Sequence, residues 1–408
     1  MGAVLGCIIS IPAMDRLGRR GAALYIMSMA YLIGFLLIGA AFNVEMIITG
    51  RFCGGVGLGL TLSITPVYLV EVSSLSIRGM LGVVPPLFTQ IGLLATYLSG
   101  CWMDWRTLAL SGVAIVILFV IFVWIIPESP VYLASKGRFE EAEGTLAQLG
   151  RKDDLLRFFK EIQTDLNVFD MTLADSWRQY FDPRVVRPFL SCLALMFFFQ
   201  TTGYNTIIAY SLILIRESGQ TIHEHLATGI TGGVILLSAL LAIGLAKVSN
   251  RKTLLVISAL GTSSSLIILG VYYYLKQEGP LPKWTFVPLL SMLMMITFFM
   301  IGFGAVSWTV MAEILPAKVR GHLYPFTVAF TWVCNFVFAK SFVYIQRSIG
   351  SYGAFWTYAL LTLSGTLFIM KGLPETRNES SEEIERFFNR LSRKSWSTEN
   401  VIERSDIV

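Results

Sequence analysis

Glu71-Val72-Ser73-Ser74-Leu75-Ser76-Ile77-Arg78-Gly79 and Glu313-Ile314-Leu315-Pro316-Ala317-Lys318-Val319-Arg320-Gly321 share one pattern, a glutamate seven positions before Arg-Gly, at an offset of 242 residues. Each polar stretch separates two apolar runs, 46–68 from 80–102 in the first case and 284–311 from 322–345 in the second. Two further marks recur in the same order. Pro127-Glu128-Ser129 returns as Pro374-Glu375-Thr376 at an offset of 247, and the basic turn Arg19-Arg20 returns as Arg251-Lys252 at an offset of 232. Three markers at nearly constant spacing describe one helical unit used twice.

The composition says where such a chain lives. Of the 408 residues, 54% are hydrophobic and 14% charged, with a mean hydropathy of +0.65. Soluble proteins are about 25% charged, so a water-soluble domain and a disordered chain are both excluded. Crossing the hydrocarbon core takes about 20 mostly apolar residues. Eleven runs are read as spans: a short one at 1–13, then 22–42, 46–68, 80–102, 107–126, 189–215, 226–246, 253–275, 284–311, 322–345 and 353–370. Parallel duplication of spans is a transporter pattern. The expected division is 1–126 as an N-terminal bundle, 127–188 as a helical linker, 189–371 as a C-terminal bundle and 372–408 as a charged tail. In the linker, Phe139, Ala142 and Leu146 recur at helical spacing before Gly150, and Leu155, Phe159, Ile162 and Leu166 repeat the pattern.

Charge sets the orientation. Of the 32 Lys and Arg, 25 fall in one set of loops, the linker and the tail, which places the linker and the C-terminus in the cytosol. The second copy has six spans before its Pro-Glu mark and the first has five, so the chain is expected to be N-terminally truncated, its first helix absent. Cys7, Cys53, Cys101, Cys192 and Cys334 are scattered through apolar stretches, with neither disulfide nor metal-ligand spacing. The net charge of +5 is dispersed in short clusters and carries no nucleic-acid signal. No cofactor, metal or catalytic constellation is expected within a span. His223, His225 and His322 read as solvated residues, and the sequon at Asn378 falls on the cytosolic side.

These marks carry a family resemblance. Asp15-Arg16-Leu17-Gly18-Arg19-Arg20 resembles the signature loop of the major facilitator superfamily. Gly50-Arg51-Phe52 with Gly55, Gly57 and Gly59, followed by Pro66-Val67-Tyr68, Glu71 and Arg78-Gly79, resembles the fourth helix of its sugar porters. Pro127-Glu128-Ser129-Pro130 and Pro374-Glu375-Thr376-Arg377 resemble the marks that close each half. Residues 314–321 are most similar to insect facilitated trehalose transporters and class III glucose transporters.

The resemblance implies an all-α major facilitator fold of two helical bundles, 12 helices by ancestry. It further implies facilitative uniport of a mono- or disaccharide by alternating access in a multi-pass plasma-membrane protein. A non-transporting sugar sensor, or an inactive truncated isoform, is the alternative. Proton coupling stays open.

Polar side chains inside spans are costly, and amides offer both donors and acceptors to a neutral polyol. Gln200, Asn205 and Asn335, with Trp308 as a stacking face, are the implied sugar site, and Gln90 lies one turn beyond the fifth-span position that often carries a glutamine. Phe199 stands where the family often has a second glutamine, and Phe303, Ala305 and Ser307 stand where it has prolines.

Asp15, Arg16, Arg19, Arg20, Glu71, Arg78 and Glu128, with Glu313, Arg320, Glu375 and Arg377, are read as ion pairs closing the cytosolic mouth. The second copy lacks the loop glycine, at Ser249-Asn250, and Val131 replaces a usual arginine, so a weaker latch is expected. Arg51 is read as a buried charge facing the absent helix. The glycines at 50, 54, 55 and 59 supply small faces for close helix packing.

Overall fold

The computed structural model describes residues 1–74, 84–151, 182–210, 224–279, 284–377, 379, 383–384 and 386–388, and these are helical with no strand among them. In chain order the helices are α1 (Gly2–Gly21), a π-helical turn (Ala22–Met27), α2 (Ser28–Gly39), α3 (Val44–Val72), α4 (Val84–Ser99) and α5 (Trp105–Ile125). Two short helices follow, α6 (Pro130–Ser135) and α7 (Phe139–Gln148). The second set is α8 (Pro183–Thr201), α9 (Glu224–Val248), α10 (Arg251–Glu278), α11 (Val287–Phe299), a π-helical turn (Met300–Gly304), α12 (Ala305–Ile314), α13 (Ala317–Ile349) and α14 (Ser351–Gly372).

Nine continuous helical stretches among the described residues are long and apolar enough to cross a membrane. Ten of the eleven runs of the sequence map onto them, and the run 80–102 corresponds to the shorter α4. Gly2–Gly39 holds two spans, because Gly18 breaks the helix with φ 80° and ψ 179°. A side chain at Gly18 would also overlap the Glu128 carboxylate and Tyr132. The fifth-span run appears as α4, whose preceding residues 75–83 lie outside the described set. The linker helix at Phe139–Gln148 buries Ala142 and Leu146 of the expected pattern but leaves Phe139, at its first turn, exposed; the second linker pattern, 155–166, lies outside the described residues.

Glycines decide how the first helices meet. α1 runs parallel to α3, with Gly2 on Phe52 and Gly6 on Val56 and Gly59. α2 runs antiparallel to α3, placing Gly34 on Gly50 and Gly54 and Tyr31 on Gly57. One helix thus shows two small-residue faces to two neighbours, because 50/54 and 55/59 lie on different sides of it. The second half is filled by aromatic side chains instead: Phe299, Phe303, Phe342, Phe355 and Tyr358 are fully buried. The halves meet where α4 packs Leu94 and Tyr97 on Gly232 of α9, and where α1 lies against α13.

Arg51 departs from expectation. It is exposed, together with Ile48 and Phe52 on the same stripe of α3, because no described element covers that face. No described protein element buries the charge.

Overpacking a glycine contact costs about 1–3 kcal/mol. Gly59→Ala puts a Cβ into the Ala3 carbonyl, whereas a Cβ at Gly54 meets nothing within 4 Å. Gly59→Ala is expected to lower the melting temperature in detergent by several degrees, and Gly54→Ala to leave it unchanged. Equal behaviour of the two would contradict the close α1–α3 contact.

Candidate functional site

α8 begins at a proline and is capped by Asp182, which accepts from the Arg184 amide at 2.8 Å. It ends at Gly203, whose φ of 70° admits a sharp break and whose missing side chain leaves room for Tyr358, 2.7 Å from where a Cβ would stand. Helix resumes over 204–210. Gln200 sits just before this break and Asn205 just after it.

Gln200 is 5% exposed and is the hub of an amide cluster. Its Nε2 donates to the Thr331 carbonyl on α13 at 3.1 Å. Its Oε1 accepts from Asn205 Nδ2 at 3.2 Å and from Asn335 Nδ2 at 3.3 Å. The three amides, foreseen on two spans, therefore converge, and both asparagines keep a carbonyl oxygen and an N–H outside these bonds. Burial of unpaired amides at membrane depth is costly; here they satisfy one another and retain capacity for a ligand.

An aromatic wall stands beside them. Phe199 makes edge contacts with Phe299 and Trp308, with ring centroids 5.2 and 5.7 Å away. Tyr204 stacks on Phe299 at 4.0 Å and 8°. Trp308 joins the site through Phe199, the residue that stands where the family often has a second glutamine. Phe299 and Tyr204 carried no polar signal and went unnoticed. Gln90, half-buried on α4, makes no hydrogen bond to the cluster.

At the other functional end, two carboxylates bind backbone. Glu128 accepts from the amides of Arg19 (2.9 Å), Arg20 (3.1 Å), Gly21 (3.4 Å) and Ser129 (2.8 Å). Glu375 repeats this with Arg251 (3.0 Å), Lys252 (3.1 Å), Thr376 (3.0 Å) and Arg377 (3.0 Å). Each negative charge thus sits at a helix start, where exposed amides and the helix dipole favour it. Arg19 pairs with Glu71 at 2.7 Å, and Arg251 with Glu313 at 2.9 Å. Basic side chains then tie down helix ends: Arg20 donates to Val123 and Trp124 carbonyls, Lys252 to Leu373, and Arg377 to Lys247.

The family model described as sugar (and other) transporter matches residues 1–388. The chain belongs to this sugar transporter family. It is 34% identical to the facilitated trehalose transporter Tret1 of Apis mellifera ligustica over 98% of this chain and 80% of that one. The Bombyx mori Tret1 is 34% identical over 94% of this chain and 76% of that one. Among solved structures, the proton:xylose symporter XylE bound to 6-bromo-6-deoxy-D-glucose superposes with a TM-score of 0.77 at 26% identity, covering 95% of this chain and 88% of that one. The major facilitator fold follows.

Several charged residues differ from the sequence reading of this transporter. The pairs Arg19–Glu71 and Arg251–Glu313 each close within one half, so they brace a bundle and do not bridge the two. Ser129, unforeseen, completes the first set by donating to Glu71 at 2.5 Å, and Tyr132 lies under the Arg19 guanidinium and donates to the Arg16 carbonyl. Asp15 and Arg16 are exposed and form no ion pair among the described residues. Without the loop glycine, Asn250 turns with φ −66° and ψ 141°, and Glu375 collects four amides. Arg78 and the side chains of Arg320 and His322 lie outside the described residues, as does His223.

Hydrogen bonds to a charged group are worth about 1.5–3 kcal/mol each. Glu128→Gln and Glu375→Gln are each expected to lower thermal stability measurably by scanning fluorimetry in detergent, by about 2 kcal/mol. Asp15→Asn is expected to leave it unchanged. A destabilised Asp15→Asn with intact cradle variants would reverse the assignment.

Proposed function

We propose that the chain is a facilitative carrier of a neutral mono- or disaccharide, of the trehalose or glucose class, and that the Gln200–Asn205–Asn335 cluster with Trp308 holds the sugar. The observation that carries this reading is the shared acceptor on Gln200, which ties α8 to α13 while leaving both asparagines with unspent hydrogen-bonding groups. A neutral polyol presents alternating donors and acceptors, and only groups with both kinds match it in any orientation. An aromatic face beside them suits the apolar face of a pyranose ring.

The mechanism is alternating access between two bundles, residues 1–126 and 189–371, with 127–188 as the connecting cytosolic linker and 372–408 as the tail. Sugar drives no exchange unless it stabilises the occluded arrangement more than either open one. The break at Gly203 lets 204–210 swing toward bound sugar, carrying Asn205 to it, while Gln200 stays on the rigid part of α8. The bracing ion pairs keep each bundle rigid as it rocks. The Glu128 and Glu375 end faces the cytosol, by the distribution of basic residues, and the plasma membrane is the expected location.

Losing one buried amide partner costs about 1–3 kcal/mol, roughly tenfold to a hundredfold in affinity. In proteoliposomes, Gln200→Ala and Asn335→Ala are expected to raise the half-saturation concentration for labelled trehalose or glucose by at least about tenfold, and a pH gradient is expected to leave the accumulated level unchanged. Normal kinetics in both variants would remove the site; pH-driven accumulation would remove uniport.

A further inference from the structure

We propose that Ser258 is a positioning residue for transport, its hydroxyl pinning the π-helical turn that sets the aromatic wall of the sugar site. The proposal rests on the amide cluster being that site. The turn Met300–Gly304 joins α11 to α12. A π-helical turn displaces the regular backbone ladder and marks a point where a helix bends, and within a membrane the displaced groups need a partner from a neighbouring helix. Ser258, fully buried on α10, supplies it. Its Oγ accepts from the Phe303 amide at 3.2 Å and donates to the Phe299 carbonyl at 3.5 Å. One hydroxyl thus holds both sides of the turn.

The contact is close because Gly302 has no side chain; a Cβ there would overlap Ser258 and the Leu254 carbonyl. The turn also divides the wall. Phe299 lies before it and stacks on Tyr204, Trp308 lies after it, and Phe199 touches both rings. A change of angle at 300–304 therefore moves Trp308 relative to Phe299 across the face of α8 that carries Gln200. No proline stiffens the stretch, since 303, 305 and 307 are Phe, Ala and Ser. The hydrogen bonds of Ser258 set the angle instead.

The transport cycle gives this role a signature. In an uncoupled carrier the ratio Vmax/KM is equal for entry and exit, while the two KM values depend separately on how the inward and outward arrangements are populated. Removing a net hydrogen bond from one arrangement shifts that population by about two- to tenfold. Ser258→Ala, purified and reconstituted, is expected to change the ratio of entry KM to exit KM by that factor with Vmax/KM still equal in both directions. Thr262→Ala is the control: its hydroxyl is buried one turn along α10 without a partner, and the KM ratio is expected to stay at the wild-type value. A Ser258→Ala protein with lower Vmax but unchanged KM values has lost active molecules only, which overturns the proposal, as does an equal shift in Thr262→Ala. Gln200→Ala run alongside separates the claims. Lost sugar affinity there with an unmoved ratio in Ser258→Ala removes the pin alone, whereas retained affinity removes the site on which it rests.

Discussion

The Gln200 side-chain oxygen, shared by two asparagine amides while its nitrogen binds the Thr331 carbonyl, is the contact on which the functional half of the molecule depends. Burying amides among apolar helices is unfavourable unless each finds a partner. Meeting that constraint fixes α8 against α13 in one register and leaves the break at Gly203 next to the site. In the proposed site a polyol would meet groups that are already ordered, which lowers the entropic cost of its capture. The aromatic wall follows from the same register, because Phe199 occupies the turn of α8 immediately before Gln200.

At the opposite functional end the charges serve a different purpose. Glu128 and Glu375 each gather four backbone amides, and the neighbouring basic side chains Arg20, Lys252 and Arg377 reach out to helix ends. The pairs Arg19–Glu71 and Arg251–Glu313 each lie inside one bundle. Their pseudo-symmetry is therefore that of two rigid bodies built alike, and relative motion between the bodies does not have to break them. Exposed ion pairs contribute little; these are part-buried and joined to backbone, so they act as joints of the scaffold.

Much of this was legible in the sequence, and the reasons are physical. Span existence follows from apolar length, and the duplication from three spaced markers. The cost of polar groups in spans singled out Gln200, Asn205 and Asn335, and the family resemblance implied that they share one site. The direction of the charge network was not legible: spacing shows that Glu71 and Arg19 lie at the same end, but not that they meet each other and leave the other half alone. Backbone acceptance by Glu128 leaves no mark distinguishable from ion pairing. Gln90 shared the chemistry of the cluster without its geometry. Arg51 was placed by helical depth, which says nothing about which face a neighbour covers. Phe299, Tyr204 and Ser258 were invisible because an aromatic or hydroxyl side chain in an apolar span is ordinary until its contacts are known.

Hydrogen exchange with and without sugar tests the central claim most directly, on the purified full chain reconstituted in lipid. The account predicts that trehalose or glucose slows exchange in peptides covering 198–206 and 329–337 together, because sugar closes α8 onto α13 through the amide cluster. Uptake-competent protein whose protection falls elsewhere, with those two segments unchanged, would contradict it.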